Sequence, residues 1–231
     1  MSILQEHELE CPHCGVPVAF GVARSVNADR RPDLRDAIID GSFQRLTCPY
    51  CDTTFRRDPQ FVYLDVARAQ WLLAAPLAQL SDWMTLEQSA LASFARSFGA
   101  GGSSFAQSLG KNLHVRLVFG WPALREKLLC AELDLDDATL ELLKVSMIQS
   151  EQGDWLAEDA ELRLIAADDG TLTLALLDPA SETLHECMTV PRAAYDAIAA
   201  APDAWADLRA EMTAGPMVDL NRMLVAPAAA S

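Results

Sequence analysis

Cys11-Pro12-His13-Cys14-Gly15 and Cys48-Pro49-Tyr50-Cys51-Asp52 are two copies of one short unit, and the fold reads outward from them. A tight turn between two cysteines sets both sulfurs on one side. Two such turns bring four thiolates to a tetrahedral metal ion at about 2.3 Å. The proline at the same place in each unit pre-sets the backbone dihedral, and Gly15 supplies the permissive backbone that a sharp exit needs. Asp52 stands at the equivalent exit of the second unit, and Asp tolerates a left-handed backbone better than most residues. With every coordination position taken by thiolate the site is closed. It stabilises a fold and leaves no position for water or substrate.

Residues 15–47 separate the two pairs, more than the roughly 15 to 20 residues of the common ribbon spacing, so the insert must fold. It reads as a strand over 16–23, a short helix over 32–39 and a strand over 43–47 that leads into Cys48. Pro32 suits the first helical turn and Gly41 the position after the last. The first ten residues carry Glu6, Glu8 and Glu10 and no apolar secretory core, which points to the cytoplasm, where structural disulfides are rare. One structural Zn2+ per chain on Cys11, Cys14, Cys48 and Cys51 is favoured over a thiol redox pair or an iron centre on ligand softness and spacing.

These residues also carry a resemblance. The two C-P-x-C motifs, the insert containing R-P-D-L-R-D-A-I-I-D-G-S-F (31–43) and the F-V-Y-L-D of 61–65 are together similar to the CpXC family of prokaryotic proteins. Stretches 113–119, 124–128 and 135–144 resemble the region C-terminal to the motifs in longer family members. The resemblance implies metal-binding cysteines at Cys11, Cys14, Cys48 and Cys51; it confers no activity and no catalytic residue.

A chain of 231 residues, 51% hydrophobic and 22% charged, can bury one large core or two small ones. The nearest approach to a membrane span, 71–77, is short and interrupted by Pro76, so no membrane association is expected. Charge is unevenly spread. Residues 1–80 hold 8 arginines and 10 acidic residues, net −2, which leaves −13 of the total −15 to residues 81–231. That second part would repel a phosphate backbone. Arg24, Arg30, Arg31, Arg35, Arg45, Arg56 and Arg57 keep a nucleic-acid reading of the first part open, but their pairing with Asp29, Asp33, Asp36, Asp40 and Asp58 on a solvated face is the simpler expectation.

Beyond the second unit, 61–64 and 70–73 read as a hairpin, 82–98 as a helix, and 99–110 as a flexible segment opened by Gly99-Ala100-Gly101-Gly102-Ser103-Ser104, which lacks the ending of a phosphate loop. A strand is expected over 113–119, a helix from Pro122 to about Ala131, and another capped by Asp134 or Asp136 with Leu140, Leu143 and Met147 on one face. Strands over 161–167, 171–177 and 183–190 are punctuated by Asp168-Asp169-Gly170 and Asp178-Pro179 turns. Alanine-rich helices start at Pro191 and Pro202 and end in a frayed Ala-Pro-Ala-Ala-Ala-Ser tail.

Other chemistry-bearing residues have bland readings that outweigh the sharp ones. His185 and Cys187 share a strand face and could ligate a metal or pair as nucleophile and base, but packing is the commoner outcome. Cys130 reads as a buried hydrophobe. Asp136, Asp137 and Glu141 could bind a divalent ion and more often cap a helix. Trp121 and Trp155 read as core sooner than as a groove, while His13 and Tyr50 project from the knuckles toward any partner.

Together these features predict an α+β protein: an N-terminal zinc-ribbon-like small antiparallel sheet with an inserted helix over 1–80, then an acidic domain of antiparallel strands and several helices over 81–231. They point to a zinc-binding, non-enzymatic interaction or scaffold module with a protein partner. A nucleic-acid-binding regulator and an enzyme with a site between the two parts are the alternatives.

Overall fold

A computed structural model describes residues 2–150 and 160–228. The chain opens with a hairpin of β1 (Ile3–Glu10) and β2 (Pro17–Asn27), followed by α1 (Pro32–Ile39) and a second hairpin of β3 (Arg45–Thr47) and β4 (Thr54–Arg56). Next come β5 (Phe61–Asp65), β6 (Gln70–Ala75), a 3-10 turn at Leu77–Asp82, α2 (Trp83–Phe98) and α3 (Ser104–Gly110). After these stand β7 (His114–Phe119), α4 (Gly120–Glu132) and α5 (Asp137–Ser150). The last part contains β8 (Glu161–Ala167), β9 (Thr171–Leu177), β10 (Leu184–Pro191), α6 (Arg192–Ala199), α7 (Ala206–Met212) and α8 (Asn221–Leu224).

The α+β class is the expected one, with one change of architecture. The main sheet has five strands in the order β1-β2-β5-β6-β7, and it is mixed rather than wholly antiparallel. β2 runs parallel to β5, and β6 runs parallel to β7. Parallel neighbours need a crossover, and α1 with the β3–β4 hairpin supplies the first while α2 and α3 supply the second. β1 has no counterpart among the strands expected from the sequence. Its exposed Glu6, Glu8 and Glu10 alternate with half-buried His7 and Leu9 along an edge strand that pairs, among the described residues, with β2 alone.

A boundary at residue 80 would cut this sheet between β6 and β7. The core beneath it ignores that boundary too: Ile38, Phe43, Phe61, Tyr63 and Leu72 pack with Val118, Trp121, Leu124 and Leu128. Phe43, Phe61 and Trp121 form a three-ring contact with centroids 5.8 to 6.1 Å apart. Trp121 is therefore core, and its indole N–H donates to the Arg57 carbonyl at 2.9 Å. Trp155 lies outside the described residues.

The second sheet is antiparallel, in the order β10-β9-β8, and packs against α4, α5 and α6 through Leu140, Leu143, Leu162, Leu164, Leu172, Leu174 and Tyr195. Residues 104–110, expected as part of a flexible link, form α3 because Ser103 caps it, accepting from the Ala106 N–H at 3.2 Å. The C-terminal segment closes the open edge of the main sheet: the Leu117 N–H of β7 donates to the Pro216 carbonyl at 3.0 Å. Among the described residues no helix is long and apolar enough to cross a membrane.

A fragment ending at residue 80 would lose β7 and the Val118, Trp121, Leu124 and Leu128 part of the core, and it should fail to fold. A dispersed amide proton spectrum from that fragment with zinc present would show this account of the core to be wrong.

Candidate metal centre

Each cysteine pair sits at the tip of a hairpin, Cys11 and Cys14 between β1 and β2, Cys48 and Cys51 between β3 and β4. The two tips repeat one hydrogen-bond pattern. The Cys11 N–H donates to Val16 O at 3.0 Å and the Gly15 N–H to Cys11 O at 2.9 Å; the Cys48 N–H donates to Thr53 O at 3.0 Å and the Asp52 N–H to Cys48 O at 2.9 Å. Gly15 at φ +71° and Asp52 at φ +55° occupy the left-handed region at equivalent places, which explains the residue types found there. The hairpins face each other through an edge-on contact of Phe20 and Phe55, with centroids 5.5 Å apart.

That packing brings all four sulfurs within 4.8 Å of one another. Cys11 Sγ lies 3.7 Å from Cys51 Sγ, and Cys14 Sγ lies 3.7 Å from Cys48 Sγ. These separations are far beyond the roughly 2.05 Å of a disulfide, and all six cysteines are free. Cys11 and Cys48 are buried while Cys14 is exposed. The Thr53 side chain, then its backbone, lowers the Cys51 thiol to about 6. Cys14 gains a backbone hydrogen bond at Val16, yet lost solvation and the other three sulfurs push it up to about 12. Four thiols this close cannot all ionise without a cation among them. The set could hold one metal ion.

The CpXC protein family matches residues 9–144, more than half of the 231 residues. The chain belongs to that family. No curated protein and no solved structure matches the chain. The CpXC match takes in both cysteine turns and runs on through α4 into α5.

Those two helices supply Glu126 and Glu141 to a second cluster of ligand-type side chains, which Asp219 of the C-terminal segment completes; all three are buried. The chain's own cations fill it. Lys144 Nζ is 2.7 Å from Glu126 Oε1 and 3.0 Å from Glu141 Oε1, and Arg163 Nη1 is 3.1 Å from Glu126 Oε1 and 2.5 Å from Asp219 Oδ2. Arg163 also grips Glu161, and Lys127 lies 3.2 Å from Asp137 and 3.4 Å from Glu141. Arg116 holds Asp137 through two bonds of 2.7 and 2.9 Å.

Asp136, Asp137 and Glu141 thus form no ligand cluster together among the described residues, and each meets a side-chain cation. Asp136 caps α5 by accepting from the Thr139 N–H at 2.9 Å and pairs with Arg209 at 2.6 Å. Sequence reasoning missed Glu126, Lys127 and Lys144 as one unit. The signal was there: charges spaced three apart, Glu141 and Lys144, inside an otherwise apolar helix.

The network holds five carboxylates (Glu126, Asp137, Glu141, Glu161, Asp219) against four cations (Arg116, Lys127, Lys144, Arg163). Glu141 bears the imbalance. Burial first, opposed by Lys144 and Lys127 and reinforced by Glu126 and Asp219, raises its carboxyl to about 7. Asp219 is held down to about 2, where Arg163 and Lys144 overcome its burial.

The remaining sequence candidates stay apart. Cys130 is buried, and burial raises its thiol. Cys187 is exposed, and a bulge between Leu184 and Glu186 interrupts the pairing around His185. Neither His185 nor Cys187 joins a cluster of three ligating side chains among the described residues. His13 and Tyr50 are exposed on the knuckles. A cleft of about 450 Å³ opens between the β5–β6 turn, the start of β7 and the α4–α5 loop. Its walls include Gln70, His114, Arg116, Asp136 and Tyr195. Gln70 Oε1 is buried there without a hydrogen-bond partner among the described residues, although its amide nitrogen donates to Lys127 O at 2.7 Å.

The network makes two outcomes measurable. Lys144→Met takes the nearest cation from both Glu126 and Glu141, leaving them Arg163 and Lys127 alone, and urea unfolding should show a loss of about 3 kcal/mol. Glu141 binds its proton more tightly folded than unfolded, so the unfolded chain carries fewer protons between about pH 4.5 and 7, and this group's contribution to stability falls as pH rises through that window. Glu141→Gln removes the titration. Its unfolding free energy relative to the parent should rise from pH 4.5 to 7, whatever constant offset the amide brings; a pH-independent difference would assign the proton elsewhere.

Proposed function

We propose that Cys11, Cys14, Cys48 and Cys51 hold one structural Zn2+ per chain, and that the protein is a non-enzymatic interaction module for a protein partner. The supporting observation is the sulfur spacing. Four ligands at about 2.3 Å in a tetrahedron lie about 3.8 Å from one another, and the Cys11–Cys51 and Cys14–Cys48 sulfurs lie at 3.7 Å. A ring of four thiolates has no vacant position, so its contribution is to clamp two hairpin tips too small to be held by packing alone. Six free cysteines favour a reducing compartment such as the cytoplasm.

Three features favour a protein partner. His13 and Tyr50 stand exposed on the clamped tips. Met84 and Leu91, two turns apart on α2, and Phe105 on α3 leave large apolar side chains in solvent, the kind of surface that partners cover. Arg31, Arg35 and Arg56 are engaged by Asp33, Asp65 with Glu132, and Glu182, and the chain carries net −15, which disfavours nucleic acid. A second reading, a small polar molecule bound or transformed in the cleft beside Gln70, rests on that unpartnered carbonyl oxygen.

Elemental analysis of protein purified without added metal, with thiol titration before and after chelation, tests the metal reading. One zinc per chain and six titratable thiols after denaturation with chelator are expected, and Cys48→Ser should lose the metal. Metal-free protein whose thiols appear only after reduction would replace structural zinc with thiol redox chemistry.

A further inference from the structure

Three guanidinium groups meet over Gly41, where α1 gives way to β3. A methyl group placed on Gly41 would lie 3.1 Å from Arg125 Nη1, 3.9 Å from Arg45 Nη2 and 4.0 Å from Arg56 Nη1. Gly41 has φ +80°, so no other residue type occupies that turn without strain, and its missing side chain leaves room for the convergence. Like charges at this range repel unless an anion lies among them.

Arg56 is fixed on every side but one. Its Nε donates to Phe43 O at 2.9 Å, its Nη1 to Glu182 Oε1 at 2.9 Å, and its plane lies 3.7 Å over the Trp121 ring. Its Nη2 is buried and has no hydrogen-bond partner among the described residues. Arg125 donates to the other oxygen of Glu182. Arg45 is exposed, donates through Nε to Gly41 O at 2.7 Å, and forms no ion pair among the described residues. Asp40, the residue before Gly41, accepts from the Ser42 N–H at 2.8 Å. Three cations against Glu182 and Asp40 leave one positive charge uncompensated.

Glu182 arrives from the β9–β10 turn in the left-handed region, at φ +60°, an unfavourable conformation for a residue with a side chain that must be held by its surroundings. It also lies beyond the span matched by the family, 9–144, which contains all three arginines. The arginine cluster and its carboxylate thus come from different parts of the chain.

We propose that Arg45, Arg56 and Arg125 form a binding site for a phosphate-class oxyanion, and that the chain's own Glu182 carboxylate is its internal competitor. Two oxygens of the carboxylate satisfy Arg56 and Arg125 and leave Arg45 unanswered. A tetrahedral oxyanion has a third acceptor for Arg45 Nη2, and planar guanidinium forks match such oxygens. Its arrival displaces Glu182 and frees the β9–β10 turn from the β3–β4 hairpin.

The test is calorimetric titration of the full chain with inorganic phosphate, ionic strength held constant with chloride. The parent should bind saturably. Glu182→Gln, which removes the competing charge, should bind at least tenfold more tightly, and Arg45→Ala, a change at an exposed side chain, at least tenfold more weakly. Far-UV circular dichroism of both variants checks that the fold is kept. Absence of saturable binding in both the parent and Glu182→Gln would overturn the site, as would an Arg45→Ala affinity within twofold of the parent.

Discussion

The buried charge network between α4, α5, β8 and the C-terminal segment is the constraint on which the rest of the structure depends. Glu126 Oε2 accepts from the Leu164 N–H of β8 at 2.6 Å, and Glu141 Oε2 accepts from the Leu220 N–H at 3.0 Å. Two carboxylates therefore do double service, meeting lysine and arginine on one oxygen and backbone on the other. Charges removed from water are tolerated only where such partners are complete. Because the partners come from four elements, none of those elements can shift without stranding a charge. The network fixes how the second sheet sits on the helices more strictly than apolar contact alone would.

Those same helices connect the two sheets. α4 continues directly from β7, so its Trp121, Leu124 and Leu128 face the core of the main sheet while Glu126 and Lys127 face the network. Trp121 also supports Arg56, and Arg56 with Arg125 receives Glu182 from the second sheet. The cysteine hairpins are thereby tied to the body of the molecule at their bases. Their tips close through two backbone hydrogen bonds each and meet at the four sulfurs.

The cysteine hairpins were legible in the sequence because the constraint is local: a five-residue turn needs its Cys, Pro and Gly or Asp at fixed offsets. The helix over Pro32–Ile39, the β5–β6 hairpin and the antiparallel order of the last three strands were legible for the same reason. β1 was not, because an edge strand with Glu6, Glu8 and Glu10 on it presents little apolar alternation. Nor was the placement of β7 in the main sheet, since a parallel pairing across α2 and α3 leaves no signature in either strand.

The sequence by itself determined most of the elements, the cysteine turns and the family, all of which rest on residues near one another in the chain. Tertiary structure alone decided which charges are buried together, which arginines converge over Gly41, and that Asp136, Asp137 and Glu141 meet lysine and arginine side chains of the same chain. Lys127, Arg163 and Asp219 are far apart in the chain. The energy of a charge is set by its neighbours in space and its distance from water, and neither quantity is written in the residues on either side of it.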